Sequence, residues 1–257
     1  MEQFVDEKSI VRTIWGKADT VLFIFAGAAA EFALNKAVDW LYFTGRLPTD
    51  PLGRLFSTVS YARRIVFSSN DKALKAIDQI TAIHATVENN RGSKIPDWAY
   101  RDVLFMLIYY SIASFELMER KMTLAEKEEV YNVFYRMGIR MNLKMLPSTY
   151  SSWLNVRDEH MENDMEKSKY TIDLYSQYKK HLGKVRYWIL LQGQALVVPK
   201  KVKSLLGMNN FSMLSPVLIV YKLSRVLQLD GFIKKMVLPK KYHQEFKALD
   251  VKIEKSL

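Results

Sequence analysis

Among the four histidines of the chain, His84 has surroundings in which an imidazole could take part in chemistry. The other three, His160, His181 and His243, lie in charged stretches, and we expect them to be solvated surface residues. His84 instead lies within residues 71–88, where apolar side chains recur at helical spacing. This stretch is therefore the first place to look for a functional site.

The apolar residues around His84 recur every three or four positions, which predicts one buried face of a helix. They are Ala73, Ile77, Ile80 and Val87, and His84 falls on the same face. A buried imidazole needs partners for its nitrogens, because an unsatisfied polar group costs free energy in a core. The partner can be a hydrogen-bonding group or a metal, and neutral imidazole is a common ligand of haem iron. On periodicity alone, a hydrogen-bonded core histidine is the better interpretation.

Long helices separated by prolines are predicted to position this residue. The apolar periodicity predicts helices over residues 6–15, 19–44, 50–67, 71–88, 97–121, 123–141, 148–165, 168–182, 184–198, 200–206, 215–229 and 239–250. Thr123 and Glu126 form a capping box at the start of one of them. No strand pattern persists, so the fold class is predicted to be all-α. The absence of repeats and linkers predicts a single domain over residues 1–257.

The composition excludes several kinds of site. The 257 residues include no cysteine, which rules out disulfides, zinc–cysteine sites, iron–sulfur clusters and a cysteine-ligated haem. The lack of cysteine and the acidic N-terminal sequence MEQFVDEKSI predict a cytoplasmic protein without a secretory signal. The apolar run over residues 21–30 is too short for a membrane-spanning helix, which needs roughly 20 mostly apolar residues.

The net charge of +11 is spread along the chain. The densest basic clusters, at residues 179–184, 200–203 and 234–241, lack the interleaved aromatic residues and glycines of an RNA-recognition motif. We therefore expect no nucleic-acid partner. A solvated basic surface is the preferred interpretation, and weak attraction to a membrane surface is the next.

Other enzyme motifs are missing from the sequence. It contains no phosphate-binding loop, no Rossmann glycine pattern, no His-Glu-x-x-His and no Gly-x-Ser-x-Gly. A helical di-iron carboxylate site needs Glu-x-x-His motifs on two helices, and none of the four histidines has a glutamate at that spacing.

Two segments carry a resemblance to a known family. The first is LPTDPLGRLFSTVSY at residues 47–61, and the second is ITAIHATV at residues 80–87. They contain a proline-rich entry, an Arg-x-x-x-Thr pair at Arg54 and Thr58, and a His-x-x-Val sequence at His84 about one helix later. The order of these motifs resembles that in latex-clearing proteins and fungal MpaB-type oxygenases. The resemblance continues through residues 99–104 and 145–150.

The resemblance implies an all-helical fold with a globin-like core, a b-type haem and cleavage of isoprenoid double bonds with dioxygen. It implies that His84 is the axial ligand of the haem iron and that Arg54 and Thr58 lie near the haem. These two residues are one helical turn apart, so both can face one pocket. Tyr61 lies one further turn along and could line the same wall.

One difference from the family concerns the position before Thr58. The latex-clearing enzymes have a lysine there that can approach the iron, whereas this chain has Ser57. The glycine turn that follows His-x-x-Val in many relatives is replaced here by residues 88–93. The first difference argues against rubber cleavage, and neither affects His84.

The resulting hypothesis is a haem b-dependent oxygenase, an oxidoreductase that uses dioxygen on a small apolar, isoprenoid- or lipid-like substrate. Arg54 and Thr58 would be catalytic, His84 would bind the iron, and Arg54, Thr58 and Tyr61 would contact the cofactor. The alternative is a non-catalytic haem or hydrophobic-ligand binding protein, which Ser57 favours. The sequence leaves the substrate and the oligomeric state open.

Overall fold

The fold is built from helices, as the computed structural model shows for residues 2–45 and 49–226. The helices are α1 (Ile10–Trp15), α2 (Ala18–Phe32), α3 (Val38–Phe43), α4 (Pro51–Val66), α5 (Asn70–Arg91), α6 (Asp97–Met118), α7 (Leu124–Arg140), α8 (Tyr150–Asn163), α9 (Lys169–Val197), α10 (Lys200–Leu206) and α11 (Leu214–Val226). The described residues contain two isolated β-bridges and no strand. The prediction of an all-α fold is confirmed.

Most predicted helices agree with the structure to within a few residues. The capping box at the start of α7 is present, with the Thr123 hydroxyl accepting from the backbone N–H of Glu126 and the Glu126 carboxylate accepting from that of Thr123. The first helix begins later than predicted, because Ser9 caps it by accepting from the N–H of Val11. The helix predicted over residues 239–250 lies outside the described residues.

The helix predicted over residues 19–44 is wrong as a single element. The structure divides it into α2 and α3, with non-helical residues between them. There the amide side chain of Asn35 accepts from the backbone N–H of Ala37 and donates to Asp102. The backbone of residues 34–36 also bonds to residues 164 and 166, which satisfies groups that a continuous helix would have bonded internally.

Gly183 accounts for the predicted break between residues 182 and 184. Its backbone has φ 73° and ψ 170° within α9, so two helical segments meet there at a kink without a loop. A positive φ of this size is readily adopted only by glycine. The two halves of α9 thereby take different directions, as the sequence predicted.

The helices share a hydrophobic core in which α2 packs most extensively against α6. Its largest fully buried side chains include Trp15, Phe105, Tyr110 and Trp153. The close approach of the two helices depends on Gly27, because a Cβ atom at that position would lie 2.2 Å from ring carbons of Tyr110. The globin-like arrangement implied by the family resemblance stays a prediction.

The N-terminal segment is attached to the turn between α4 and α5. Gln3 and Ser69 form an antiparallel bridge. On either side of it, Phe4 donates to the carbonyl of Ser68 at 3.3 Å, and Asn70 donates to that of Glu2 at 2.9 Å. Residues 2–4 therefore hold this end of the α4–α5 pair against the rest of the protein.

None of the helices in the described ranges has both the length and the hydropathy needed to cross a membrane. This agrees with the interpretation of residues 21–30 as part of a packed helix, since α2 contributes several fully buried residues to the core.

Candidate functional site at His84 and a buried ion network

Arg54, Thr58 and His84 are placed by the packing of α4 against α5. Arg54 and Thr58 lie in the first half of α4, and His84 lies in the second half of α5. The two helices are joined by residues 67–69, and Arg54 and His84 are each about 20 Å along their helices from that turn at 1.5 Å per residue. The chain folding therefore brings the two predicted site residues to the same end of the helix pair.

His84 lies at the edge of the core and is only partly buried. On the same stripe Ala73 and Ile77 are buried, while Ile80 and Val87 are partly exposed. The Nδ1 atom of His84 is enclosed and has no hydrogen-bond partner among the described residues. The hydrogen-bonded core histidine that periodicity favoured is therefore not what the described structure contains.

The imidazole of His84 is neutral over the physiological pH range. Burial lowers its pKa, the positive charge of Arg54 lowers it further, and Glu88 opposes both effects, so that the pKa falls to about 4. A neutral imidazole has a nitrogen lone pair free to bind a metal, which an imidazolium lacks. The environment thus keeps His84 in the protonation state that a ligand requires.

Arg54 and Thr58 are in direct contact. The Nη1 atom of Arg54 donates to the Thr58 hydroxyl at 2.9 Å and to the Ser57 hydroxyl at 3.2 Å. Thr58 also donates to the backbone carbonyl of Arg54. The predicted pair is thus a hydrogen-bonded unit on one face of α4, and the charge of Arg54 acts on His84. Ser57 belongs to the same unit.

Tyr61, the fourth predicted site residue, is partly exposed one turn beyond Thr58. The guanidinium of Arg64 lies 5.5 Å from the centre of its ring. Among the described residues, no hydrogen bond or ring contact joins Tyr61 to His84, Arg54 or Thr58. Its role in lining a cofactor pocket stays a prediction.

Two residues next to His84 were missed by the sequence analysis. The ring of Tyr100 meets the imidazole edge-on, with ring centres 5.1 Å apart. Its hydroxyl donates to Glu88 at 3.1 Å, and Glu88 also accepts from Lys94 and from the backbone N–H of Ile95. Glu88 could have been predicted from the sequence, because it lies one helical turn after His84. The contact with Tyr100 could not, because it depends on how α6 packs on α5.

The prediction that His160 is a solvated surface residue is wrong. Its side chain is 2% exposed and lies in a buried ion network that joins α2, α6 and α8. Its Nδ1 atom is 2.9 Å from Asp102 and 3.4 Å from Asp164, and its Nε2 atom is 3.5 Å from Glu31. The charged residues beside it in the sequence hid the fact that one face of α8 points inward.

A carboxylate–guanidinium pair forms the centre of this network. Glu31 is fully buried, and both of its oxygens accept from the guanidinium of Arg157, which is almost fully buried as well. Tyr110 donates its hydroxyl to Glu31 at 2.9 Å. Burial would raise the pKa of Glu31, but Arg157 and His160 lower it to about 2. The pair therefore stays ionised inside the core.

Asp102, His160 and Asp164 also offer three ligand atoms within 4.8 Å of one another, a spacing that a metal ion could bridge. Burial lowers the pKa of His160, but its bonds to Asp102 and Glu31 raise the pKa to about 9. Near neutral pH a proton therefore occupies the imidazole. We interpret the group as a charged network that fixes three helices to one another.

The stability of the protein is expected to fall as the pH rises from about 6.5 to about 9. The pKa of His160 is raised in the folded state, so its contribution is complete below the unfolded pKa of 6.5 and is lost as the pH passes through 9. The loss is on the order of 3 kcal/mol. Urea unfolding across this range measures it. This decrease of stability with pH should be absent in His160→Gln and retained in His181→Gln. An unchanged decrease in His160→Gln would show that His160 is not its cause.

Two surface clefts lie away from His84. One, of about 390 Å³, is formed by residues near the N-terminus and along α7, including Ser9, Glu129 and Arg136. The other, of about 420 Å³, lies between α9 and the segment after α10 and includes Tyr187 and Phe211. Neither is lined by Arg54, Thr58 or His84.

The fold and the site define a class, namely an all-helical protein in which a neutral, partly buried histidine lies beside an arginine–threonine pair. The chain matches a family model described as the catalytic domain of ER-bound oxygenase mpaB/B'/Rubber oxygenase, over residues 14–225. Because the match covers most of the chain, the protein belongs to this family of oxygenases. Neither the curated proteins nor the solved structures that were compared gave a match.

Proposed function

We propose that this protein is a haem b-dependent oxygenase that uses dioxygen on a small apolar substrate of isoprenoid or lipid type. The observation that supports it best is the state of His84, which is neutral, carries an enclosed nitrogen without a hydrogen-bond partner among the described residues and is subject to the positive charge of Arg54. Membership of an oxygenase family makes an iron cofactor the natural partner for such an imidazole.

The residues around His84 suit a haem group. The neutral imidazole of His84 would bind the haem iron, and the guanidinium of Arg54 would supply a cation that can pair with a propionate. Thr58 holds that guanidinium through a 2.9 Å hydrogen bond, so its role is to orient Arg54. Tyr100 contacts the imidazole edge-on and limits its rotation. When bound, haem would supply the chemistry of dioxygen, while these side chains hold and orient it.

A non-catalytic haem or hydrophobic-ligand binding protein is the second candidate. The observation that favours it is Ser57, which replaces a lysine of the latex-clearing enzymes and here bonds to Arg54. The two candidates differ in turnover but share the His84 ligand. Oxygen consumption with an isoprenoid substrate by the haem-loaded protein would favour the oxygenase, and firm haem binding without turnover would favour the binding protein.

Replacing His84 by alanine is expected to abolish stoichiometric haem binding and leave the helical fold intact. Because His84 is only partly buried, we expect the substitution to cost little packing energy. The measurement is the Soret absorbance of protein purified from haem-supplied cells, with a haemochrome assay for content and far-ultraviolet circular dichroism for the fold.

His181→Ala is the matched control, because His181 is an exposed histidine on another helix. It should retain the haem content and spectrum of the unaltered protein. If His84→Ala keeps the same content and the same Soret band, the ligand assignment is wrong. If the unaltered protein takes up no haem even after reconstitution, the cofactor proposal fails.

A further inference from the structure

The last quarter of the described residues differs in charge from the rest of the chain. Residues 174–226 contain nine lysine and arginine residues and no aspartate or glutamate. The net charge of the whole chain is +11, so most of the excess positive charge comes from this one stretch. It comprises most of α9 together with α10 and α11.

The same part of the chain also carries exposed apolar side chains. Of the fifteen exposed large apolar side chains that the structure describes, seven lie between residues 185 and 220. They are Val185, Trp188, Phe211, Met213, Val217, Ile219 and Val220. Exposed apolar residues are ordinary when scattered singly, but a concentration in one region marks an interaction surface.

Helix α11 is fixed with its apolar face outward. Its inner edge is held by polar contacts, in which Tyr221 donates to Asp19 at 3.0 Å and Arg225 donates to Glu119 at 2.7 Å. On the opposite side of the helix Ile219 is 64% exposed, and Val217 and Val220 are 50% and 63% exposed. These two valines are three positions apart, so they lie on one face of the helix. The polar contacts therefore prevent α11 from turning its apolar side toward the core.

The segment before α11 connects this face to α9. Gln192 of α9 accepts from the backbone N–H of Met213 at 2.7 Å and from the hydroxyl of Ser212. Trp188 lies one turn before Gln192 on the same face of α9, and Val185 lies about one turn before Trp188. The exposed side chains of α9 and of residues 211–220 thus belong to neighbouring parts of one surface, which we call the α9–α11 surface.

Basic side chains border this surface. Lys184 directly precedes Val185, and Lys179 and Lys180 lie just before the kink at Gly183, and all three are exposed. No acidic residue is present on α9 after Asp173 or on α10 and α11 to oppose their charge. The α9–α11 surface therefore combines apolar contact area with positive potential.

We propose that the α9–α11 surface docks onto an anionic lipid bilayer. A bilayer offers acyl chains to the exposed apolar side chains and anionic headgroups to the lysines at once. Two copies of this chain meeting through the same surface would bring two strongly basic regions together, which like-charge repulsion opposes. A nucleic acid would satisfy the lysines but leave Val217 and Val220 in water. The α9–α11 surface thus fits docking onto the face of an anionic bilayer.

The test is co-sedimentation of the full-length protein with vesicles, in a pair of matched double variants. Val217→Asp/Val220→Asp is expected to bind phosphatidylcholine vesicles containing about one third phosphatidylserine about tenfold more weakly than the unaltered protein. Leu124→Asp/Ile139→Asp places the same charges at positions that are 64% and 53% exposed on α7, outside this surface. This control should bind as the unaltered protein does.

Binding of the unaltered protein should also weaken with added salt and with vesicles of phosphatidylcholine alone. Equal loss in both double variants would show that net charge alone is responsible and would overturn the proposal. A dimer that dissociates in Val217→Asp/Val220→Asp, without vesicle binding by the unaltered protein, would show a second copy on this surface and would also overturn it. The assay needs neither haem nor substrate, so its result is independent of the role of His84.

Discussion

Replacing Arg157 by alanine should lower the free energy of unfolding by about 3–5 kcal/mol. The substitution leaves the carboxylate of Glu31 fully buried without the cation that faces both of its oxygens. Tyr110 and His160 remain, but burial raises the pKa of Glu31 once Arg157 no longer opposes it. Glu31 then either stays charged in the core or takes up a proton, and both outcomes cost free energy.

Chemical unfolding in urea at neutral pH measures this loss. Arg140→Ala provides the control, because it removes an equally direct ion pair with Asp78 at the protein surface, where solvent screens the charges. Its effect should be much smaller. Similar losses in the two variants would show that the buried pair makes no special contribution to stability.

Replacing Gly27 by alanine should destabilise the protein by about 3 kcal/mol, at the upper end of the range for an overpacked core. The new methyl group would lie 2.2 Å from two ring carbons of Tyr110. That ring cannot move away easily, because it is fully buried and its hydroxyl donates to Glu31. The strain would separate α2 from α6, the most extensive helix pair in the protein.

Gly193→Ala is the matched control, since both glycines lie within helices. The nearest atom that a Cβ at Gly193 would meet is a ring carbon of Phe23 at 3.7 Å, an ordinary contact distance. Alanine favours a helix interior over glycine by roughly 0.5–1 kcal/mol, so the control should be neutral or slightly stabilising. Thermal unfolding distinguishes the two variants, and comparable stability of both would show that α2 and α6 can separate at little cost.

The sequence predicted the helices well where local chemistry decides them. Thr123 and Glu126 start α7 through contacts only three residues apart, and the kink at Gly183 depends on that residue's own backbone. The break after α2 could not be predicted in the same way. It depends on the contact of Asn35 with Asp102, which lies 67 positions away in the chain. Local periodicity carries no information about such a partner.

The same distinction between local and distant contacts applies to the candidate site. Helical spacing placed Arg54 beside Thr58, which the structure confirms. The same spacing placed His84 on a buried apolar stripe, whereas in the structure only the Ala73 and Ile77 end of that stripe is buried and His84 is partly exposed. The sequence did not show that Tyr100 touches the imidazole or that His160 is buried, because both depend on how distant helices pack. Burial lowers the pKa of His160, and the groups that raise it are Asp102 and Glu31, which lie far from His160 in the chain.

The attachment of residues 2–4 to the turn after α4 has a consequence for the helix pair that carries Arg54 and His84. Because the bridge between Gln3 and Ser69 fixes the connected ends of α4 and α5, any separation of these helices is expected at their other ends. Arg54 and His84 lie toward those ends. A separation of α4 from α5 would therefore change the position of the arginine relative to the imidazole more than it would change the packing near the turn.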